Sequence, residues 1–296
     1  MMDLNKNISR RSFLKRLGKV IAGSALVGIV GQAYMKYIEP YWIEVTRQNI
    51  NHPLIPPIFN DFKIVQFSDT HLGFQLDFEH FEKIIQMISK EEPDLIIFSG
   101  DLVDNLLSFY EYEEINIYLN YLQAPYGKFA VYGNHDHGGW GTDKYKQIME
   151  AANFKVLRNE SQNIKIGNSG EIIIAGVDDA MLGQPDFEKT FSSVKKRNFT
   201  LLISHAPDLI EDAKHYPVDF QISGHTHGGQ VQLPLIGPLI TPPYGQKYVE
   251  GSYDISEHLK LYVNRGLGTT RLPYRLLSRP EISIFTLRTQ RKKESR

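Results

Sequence analysis

Short apolar runs recur along the chain, and each is followed at once by a small residue and a polar side chain. Runs of this length, rich in Ile, Leu, Val and Phe, are typical of strands buried in an α/β sheet. The five runs that end in this way cover residues 62–67, 95–99, 128–132, 199–203 and 220–223. Polar side chains at the carboxyl ends of such strands lie where open α/β sheets place their ligand sites.

Between these runs the apolar residues recur at helical rather than strand spacing. Phe78, Phe81, Ile85 and Ile88 predict an amphipathic helix over residues 77–91. Further predicted helices cover residues 111–123, 142–152, 186–196 and 208–214. Further predicted strands cover residues 154–157, 162–166, 172–177, 230–233, 261–264 and 282–286. Strand–helix alternation followed by a strand-rich second half predicts an α/β fold, with two sheets packed together and flanked by helices.

The run at residues 220–223 leads into Gly-His-Thr-His-Gly-Gly, which presents His225 and His227. Two residues at i and i+2 on a regular strand point to opposite faces. Glycine permits the backbone turns that would bring both imidazoles to one site. An ordinary loop is the alternative for an isolated pair of this kind.

The other four runs end in residues of the same chemical type. They lead into Ser-Asp-Thr-His at 68–71, Gly-Asp-Leu-Val-Asp at 100–104, Gly-Asn-His-Asp at 133–136 and Ser-His at 204–205. Carboxylates, imidazoles and an amide oxygen together suit Mn, Fe or Zn ions. The chain has no cysteine, which excludes disulfides, thiolate sites and cysteine nucleophiles.

In this order, the five blocks resemble the signature of the calcineurin-like metallophosphoesterases: D-x-H, G-D-x-x-D, G-N-H-D, a lone histidine and G-H-x-H. The resemblance covers residues 61–288 and is closest to the exported bacterial branch. It implies a four-layer αββα sandwich of two mixed sheets flanked by helices, with a dinuclear site at the carboxyl ends of the strands. It also implies two divalent ions per chain, of Mn, Zn or Fe.

The resemblance assigns a role to each residue of the blocks. The implied ligands are Asp69, His71 and His227 for one ion, Asn134, His205 and His225 for the other, and Asp101 as the bridge. A hydroxide shared by the ions would attack phosphorus in line. His135 would face the leaving-group oxygen as general acid or charge stabiliser, oriented by a carboxylate–imidazole pair with Asp104.

The first residues indicate a targeting segment rather than part of the fold. The sequence Ser-Arg-Arg-Ser-Phe-Leu-Lys at 9–15 matches the twin-arginine export pattern, and an apolar run at 20–30 follows it. This run is shorter than the about 20 residues that span a bilayer. The twin-arginine export machinery is therefore an expected partner. A basic amphipathic helix of a cytosolic protein is the alternative, and both cleavage after Ala33 and an uncleaved anchor stay open.

Length and charge complete the domain assignment. With 296 residues and 42% hydrophobic content, the chain can form one large α/β domain. We divide it into a signal segment (1–33), a linker or edge segment with an edge strand near 42–46 (34–60), the metallophosphoesterase domain (61–288) and a basic tail (289–296). Outside the first 33 residues the net charge is about −6, which argues against specific nucleic-acid binding.

Two segments are candidates for substrate contact. The loop 237–244 carries apolar residues between prolines, and either packs on its own domain or forms an apolar lip for a lipid or membrane surface. In residues 264–273, Arg265 and Arg271 are candidates for binding a phosphate oxygen. A structural ion pair is the alternative for Arg265.

These features together predict an exported, metal-dependent phosphoesterase that acts on phosphodiester or phosphomonoester groups of the cell envelope. Association with the membrane or the cell wall is part of this expectation. A lipid-linked pyrophosphatase of the UDP-diacylglucosamine type is the alternative among enzymes. A non-catalytic, metal-bound scaffold is the alternative from another class, and the presence of every ligand and of His135 disfavours it.

Overall fold

A computed structural model describes residues 10–138, 142–194 and 197–290. It begins with the long helix α1 (Arg10–Tyr37), none of whose residues is buried, and a single 3-10 turn (Glu39–Tyr41) follows. In the part of the chain that is described, no helix is both long and apolar enough to cross a membrane. The predicted residues 1–9 of the targeting segment and 291–296 of the tail lie outside the described residues.

The first sheet has six strands in the order β1-β14-β2-β3-β4-β5. Its strands are β1 (Glu44–His52), β2 (Lys63–Phe67), β3 (Leu95–Phe98), β4 (Lys128–Ala130), β5 (Phe154–Val156) and β14 (Glu281–Thr289). All neighbours run parallel except β14 and β2, which are antiparallel. The sheet is therefore mixed, as expected.

The second sheet also has six strands, in the order β12-β13-β9-β8-β7-β6. Its strands are β6 (Glu160–Lys165), β7 (Glu171–Gly176), β8 (Thr200–Ile203), β9 (Phe220–Ser223), β12 (Gly251–Asp254) and β13 (Lys260–Val263). The central strands are parallel and both edge strands are antiparallel. A small hairpin of β10 (Gln232–Leu233) and β11 (Gly237–Pro238) stands apart.

Helices cover the outer face of each sheet. They are α2 (Phe78–Lys90), α3 (Tyr112–Tyr121) and α5 (Thr142–Ala151) on the first sheet, and α6 (Phe187–Phe191) and α7 (Ile210–Ala213) on the second. The one-turn helix α4 (Asn134–His137) follows β4 at the end of that strand. In β2 the side chain of Val65 packs among residues of α2, α3 and α5, whereas Ile64 packs between the sheets. A third apolar cluster joins α6 and α7 to the second sheet. Three cores between four layers confirm the αββα sandwich.

The predicted elements differ from the observed ones mainly at the sheet edges. The expected edge strand near 42–46 is the nine-residue strand β1, which pairs with β14 along its whole length. Strand β12 was not predicted, since its sequence Gly-Ser-Tyr-Asp carries little apolar signal. The helix predicted over 186–196 is observed as α6, Phe187–Phe191, and residues 195–196 lie outside the described residues.

Candidate metal centre

The carboxyl ends of strands from both sheets meet at one place. Asp69, Asp101 and Asn134 follow strands of the first sheet, and His205 and His225 follow strands of the second. All of these side chains except that of Asn134 belong to buried residues. The topology therefore brings the five sequence blocks together at the facing edges of the two sheets.

The backbone of the site adopts a conformation that residues with side chains rarely take. The φ angle is positive at Asp69 (51°), His71 (43°), Asp101 (60°), His225 (72°) and His227 (52°). Such angles cost on the order of 1–3 kcal/mol each and persist where the surrounding structure enforces them. They turn each side chain off the line of its strand and into the site, which explains how His225 and His227 reach it together.

Two glycines of the motifs are needed because any side chain at their positions would clash with a carboxylate, and not because their φ angles are unusual. A Cβ atom on Gly224 would lie 2.2 Å from Asp69 Oδ2, and one on Gly133 would lie 2.2 Å from Asp101 Oδ1. Either contact is far inside van der Waals distance. The glycines of G-N-H-D and G-H-x-H thus leave room for the carboxylates of the neighbouring blocks.

Asp69, His71 and His227 form the first cluster, in which one ligand-type atom of each lies within 4.8 Å of the others. His71 Nε2 lies 3.1 Å from His227 Nε2, and His227 Nε2 lies 3.6 Å from Asp69 Oδ1. The Asp69 carboxylate also accepts the backbone N–H of His225. The cluster takes two residues from the first sheet and one from the second.

Asp101, His205 and His225 form the second cluster. His205 Nε2 lies 3.0 Å from His225 Nδ1 and 3.3 Å from Asp101 Oδ2. The same oxygen of Asp101 lies 3.5 Å from Nε2 of His71 in the first cluster. Asp101 therefore stands between the two clusters, where the resemblance implies a bridging ligand.

Hydrogen bonds behind the clusters fix the tautomers of three histidines. Nδ1 of His205 donates to the Ser99 carbonyl at 2.8 Å, and Nε2 of His225 donates to the Pro243 carbonyl at 2.9 Å. Nδ1 of His71 donates to Asp104 Oδ1 at 3.1 Å. In neutral imidazoles the opposite ring nitrogen then carries a lone pair that faces the clusters, as in metal-ligating histidines.

Asn134 provides an independent test of whether the residues fit a metal ion. Its Oδ1 is buried and has no hydrogen-bond partner among the described residues, and the side chain lines the same cavity as His225. A buried amide oxygen without a partner is unfavourable unless something else satisfies it. Inward lone pairs, buried carboxylates and this oxygen form a donor set that fits divalent cations.

Burial and neighbouring charges shift the pKa values of the site residues. Burial lowers the pKa of His205, but the carboxylates of Asp101 and Asp69 outweigh burial and hold it well above its ordinary value. Burial raises the pKa of Asp69. Burial lowers the pKa of His135, and the charge of Asp101 and the Asp104 carbonyl raise it more, to a value above the ordinary one. The carboxylate of Asp101 thus favours the protonated, positively charged form of both His135 and His205.

The Asp104 carboxylate lies within ion-pair distance of His135, but the hydrogen bond to that histidine comes from a different group of Asp104. His135 Nδ1 donates to the backbone carbonyl of Asp104 at 2.6 Å, while the carboxylate lies 3.9 Å from that nitrogen. The carboxylate instead accepts from His71 Nδ1 and, at 3.0 Å, from the hydroxyl of Thr270. Asp104 contacts both histidines, but through different groups.

The two candidate arginines occupy different environments. Arg265 donates from Nε to Glu281 Oε2 and from Nη2 to Glu44 Oε2, each at 2.9 Å, and it does not line the cavity. These contacts favour the structural ion pair, which is the alternative given above for Arg265. Arg271 is exposed, lines the cavity and has no carboxylate within ion-pair distance among the residues that are described.

Several residues of the site's support could not be recognised from the sequence. His137 lies between Asp178 Oδ1 at 2.7 Å and the Thr142 hydroxyl at 3.0 Å. Arg275 is completely buried and donates to the carbonyls of Arg265, Gly266 and Gly268 in the loop behind Asp69. Thr270 supports Asp104 as described. No spacing signal marks these residues, because their contacts depend on how loops and strands pack together in the folded chain.

The site opens into a cavity of about 350 Å³. Its polar lining includes His71 and His227 of the first cluster, Asp101 and His225 of the second, and Asn134 and His135. An apolar wall is formed by residues that include Met35, Met181, Leu239, Ile240, Pro242, Leu272 and Tyr274. The predicted lip at 237–244 therefore lies at this cavity rather than on its own domain alone.

Comparison with known proteins agrees with this arrangement. Residues 62–229 match the family described as calcineurin-like phosphoesterase. The chain is 48% identical to the metallophosphoesterase YkuE of Bacillus subtilis (strain 168), over 96% of this chain and 99% of that protein. It is 32% identical to the phosphodiesterase YaeI of Escherichia coli (strain K12), over 95% and 99%. It is 27% identical to the UDP-2,3-diacylglucosamine pyrophosphatase LpxG of Chlamydia trachomatis, over 85% and 91%.

Proposed function

The chain belongs to the calcineurin-like phosphoesterase family and is a hydrolase of phosphoester bonds, and from this we propose that it is an exported, metal-dependent phosphodiesterase of the cell envelope. The observation that carries the proposal is the pair of buried clusters joined by Asp101 Oδ2, which lies 3.5 Å from His71 Nε2 and 3.3 Å from His205 Nε2. The similarity to the phosphodiesterase YaeI over nearly the whole chain supports a diester substrate.

Seven residues would hold two divalent ions. They are Asp69, His71 and His227 in the first cluster, His205 and His225 with Asn134 in the second, and Asp101 between them. When bound, two such ions supply Lewis acidity, lowering the pKa of water and offsetting charge on phosphoryl oxygens. Mn, Zn and Fe all suit this mixture of nitrogen and oxygen donors.

The chain's own residues position the substrate and move the proton. His135 lines the cavity with its Nδ1 tied to the Asp104 carbonyl, so Nε2 is the nitrogen available to protonate a leaving-group oxygen. Arg271 supplies a guanidinium for a non-reacting phosphoryl oxygen. The apolar wall binds the organic part of the substrate and keeps bulk water from the phosphorus.

We test this function with full-length protein that is stripped of metal and then supplied with Mn, Zn, Fe or Mg. Metal-dependent hydrolysis of bis-p-nitrophenyl phosphate, faster than that of p-nitrophenyl phosphate, is the expected result. His135→Ala should lower kcat by about 10²–10⁴-fold, the usual range for a general acid, and leave the metal content unchanged. The control is His215→Ala, since His215 is exposed. Full turnover in His135→Ala would exclude the assigned role.

Export is supported by the twin-arginine pattern at residues 9–15 and by the apolar run at residues 20–30 that follows it. Replacing Arg10 and Arg11 together by Lys should retain the protein in the cytoplasm while its diesterase activity in lysates stays the same. Immunoblots of cytoplasmic and envelope fractions measure the distribution. An unchanged distribution in the double variant would show that another signal or no export applies.

A second candidate is hydrolysis of a lipid-linked pyrophosphate. The apolar wall of the cavity favours it, and LpxG, which is similar over 85% of this chain, carries that activity in its name. UDP-2,3-diacylglucosamine and bis-p-nitrophenyl phosphate, compared on the same refilled protein, separate the two candidates. A kcat/KM for the pyrophosphate that is far above that for the diester would replace the first proposal with the second.

A further inference from the structure

Apolar side chains continue from the cavity wall onto the outer surface. Leu239, Ile240 and Leu272 line the cavity and are 55%, 68% and 53% exposed, respectively. Leu235 and Ile236, in the turn between β10 and β11, are 108% and 72% exposed. We call these five residues the apolar collar. Adjoining large apolar residues that are exposed to this extent are unusual on the surface of a soluble protein, and such a patch marks an interaction site.

The collar is held in place by the cavity loops. Leu239 donates its backbone N–H to the carbonyl of Val231, and Gln232 donates to the carbonyl of Leu276. Gln230 accepts from the Thr270 N–H and donates to the Leu272 carbonyl. The β10–β11 hairpin and the loop at 270–272 therefore form one unit, whose exposed apolar tip stands at the cavity mouth.

Helix α1 reaches the same mouth from another direction. Its residue Met35 lines the cavity and accepts the backbone N–H of Arg275 at 2.9 Å. Gln32 donates to the hydroxyl of Tyr274 at 3.2 Å, and the carbonyl of Lys36 accepts from Gln75 at 2.8 Å. These contacts fix the carboxyl-terminal end of α1 beside the collar, although no residue of the helix is buried.

The remainder of α1 combines apolar and basic residues without a single acid. Its middle carries exposed Val20, Ile21, Leu26, Val27, Ile29 and Val30. Its first half carries Arg10, Arg11, Lys15, Arg16 and Lys19. The basic residues lie toward the amino-terminal end of α1 and the apolar residues follow them, so attraction to anionic headgroups and burial in acyl chains act on successive parts of the helix.

We propose that the apolar collar and α1 dock the protein on an anionic lipid bilayer, so that the cavity receives phosphoesters carried by lipids in that bilayer. This refines the substrate class and rests on the proposed function. The occupant is a bilayer and not a protein because the apolar and basic parts of α1 are complementary to acyl chains and anionic headgroups. Arg271, exposed at the same mouth without a carboxylate partner among the described residues, matches a headgroup phosphate.

The arrangement also explains why the apolar wall and the metal clusters share one cavity. A lipid whose phosphate reaches the clusters would keep its acyl chains along Leu239, Ile240 and Leu272, which lead outward to the collar. The substrate then need not leave the bilayer entirely. Removal of acyl chains into water is the main free-energy penalty for extracting a lipid, and the collar avoids it.

The test measures vesicle binding of the full chain without turnover, so it is independent of catalysis. Vesicles of phosphatidylcholine alone are compared with vesicles that also contain phosphatidylglycerol. The protein should sediment with the anionic vesicles, and added salt should weaken this binding. Leu235→Ser with Ile236→Ser, neither of which lines the cavity, should weaken it by at least about tenfold and leave hydrolysis of bis-p-nitrophenyl phosphate unchanged.

Leu107→Ser with Ile117→Ser is the matched control, because these residues are 60% and 57% exposed but belong neither to the apolar collar nor to α1. Equal loss of vesicle binding in both double variants, or no binding of the unaltered protein to either kind of vesicle, would overturn the docking surface. Soluble diester hydrolysis in the same samples reports on the proposed function separately. A protein that hydrolyses the soluble diester but ignores vesicles would keep its function and lose the lipid substrate class.

Discussion

Single hydrogen bonds behind the histidines decide which ring nitrogen faces the metal clusters. The carbonyls of Ser99 and Pro243 accept from His205 and His225, and a carboxylate accepts from His71. A carboxylate behind an imidazole raises the basicity of its ligating nitrogen more than a carbonyl does. We therefore expect His71, with the Asp104 carboxylate behind it, to contribute more to metal affinity than a histidine that is backed by a carbonyl.

Thr270 is a positioning residue that acts through this carboxylate. Its hydroxyl donates to Asp104 Oδ1 at 3.0 Å, and the same oxygen accepts from His71. Thr270→Val keeps the shape of the side chain but removes the donor. We expect metal affinity to fall by about 10–100-fold, the range for residues that support a ligand, as measured by competition with a chelator.

Thr270→Ser is the matched variant, because it restores the hydroxyl and should restore most of the affinity. Loss of affinity in both variants would indicate that packing of the methyl group matters instead. With metal in excess, Thr270→Val should keep a kcat close to that of the unaltered protein.

The sequence located the candidate ligands because each follows its own apolar strand, which is a local pattern. It could not distinguish Arg265 from Arg271, because the partners of Arg265 come from Glu44 and Glu281 on other strands. Nor could it show which group of Asp104 contacts His135. Both outcomes depend on side-chain positions that only the packed structure determines.

At the scale of elements, the carboxyl-terminal end of the short helix α4 is hydrogen-bonded to a residue that follows a strand of the second sheet. His137 ends the helix, and its Nε2 lies 2.7 Å from Asp178 Oδ1, just beyond β7. Arg158 and the Gln184 N–H donate to the other oxygen of Asp178. Since α4 also carries Asn134 and His135, this contact positions one candidate ligand and the candidate general acid together.

Because Asp178 is charged, the stability that its contact with His137 contributes should depend on pH. Burial raises the pKa of Asp178, but hydrogen bonds from His137, Gln184 and Arg158 lower it more, so its pKa lies below the ordinary value. A carboxyl with a depressed folded-state pKa stabilises the fold above the unfolded-state pKa of about 4 and loses this contribution as pH falls through that value toward the folded-state pKa.

Asp178→Asn should lower the free energy of unfolding at pH 7 by about 1–3 kcal/mol, the range for a buried hydrogen-bonded charge. The difference from the unaltered protein should shrink as the pH falls below about 4. Urea unfolding of both proteins at several pH values, in the presence of a chelator, measures this difference in the free energy of unfolding. A difference that is the same at every pH would show that shape, rather than charge, holds α4.

Elements with regular apolar spacing were predicted closely, and α2, expected over 77–91, spans Phe78–Lys90 with Asp77 as its N-cap. The edge strands were predicted less well. Strand β1 is largely exposed along its middle and owes its conformation to pairing with β14, whose sequence lies more than two hundred residues away. Propensity and spacing describe only local preferences, so strands formed by distant pairing leave a weak signal.

At the scale of the whole molecule, each metal cluster joins the two sheets. The first combines Asp69 and His71 with His227, and the second combines Asp101 with His205 and His225. The core between the sheets, where Phe285 contacts the rings of Phe220 and Tyr262, therefore sets the distance between the two halves of the site. Metal binding and the packing of the sandwich should stabilise each other.

Removing the metal should consequently lower the stability of the entire domain. An ion present at about a thousand times its Kd adds about 4 kcal/mol to the free energy of unfolding. We expect the Tm measured by calorimetry to fall on chelation and to recover when metal is restored. Asp101→Asn should show a smaller fall because it binds less metal, whereas the exposed Asp254→Asn should behave as the unaltered protein. Equal shifts in both variants would contradict a bridging role for Asp101.

Strand β14 lies between β1 and β2, although β1 and β2 follow each other along the chain. During synthesis, residues 44–52 and 63–67 leave the ribosome early but have no shared partner until residues 281–289 have also emerged. A nascent or prematurely terminated chain would thus display an unpaired strand edge at β2, of the kind that chaperones and proteases recognise. The order of the strands thus makes the first sheet depend on residues 281–289, since without them β1 and β2 lack the strand that both of them pair with.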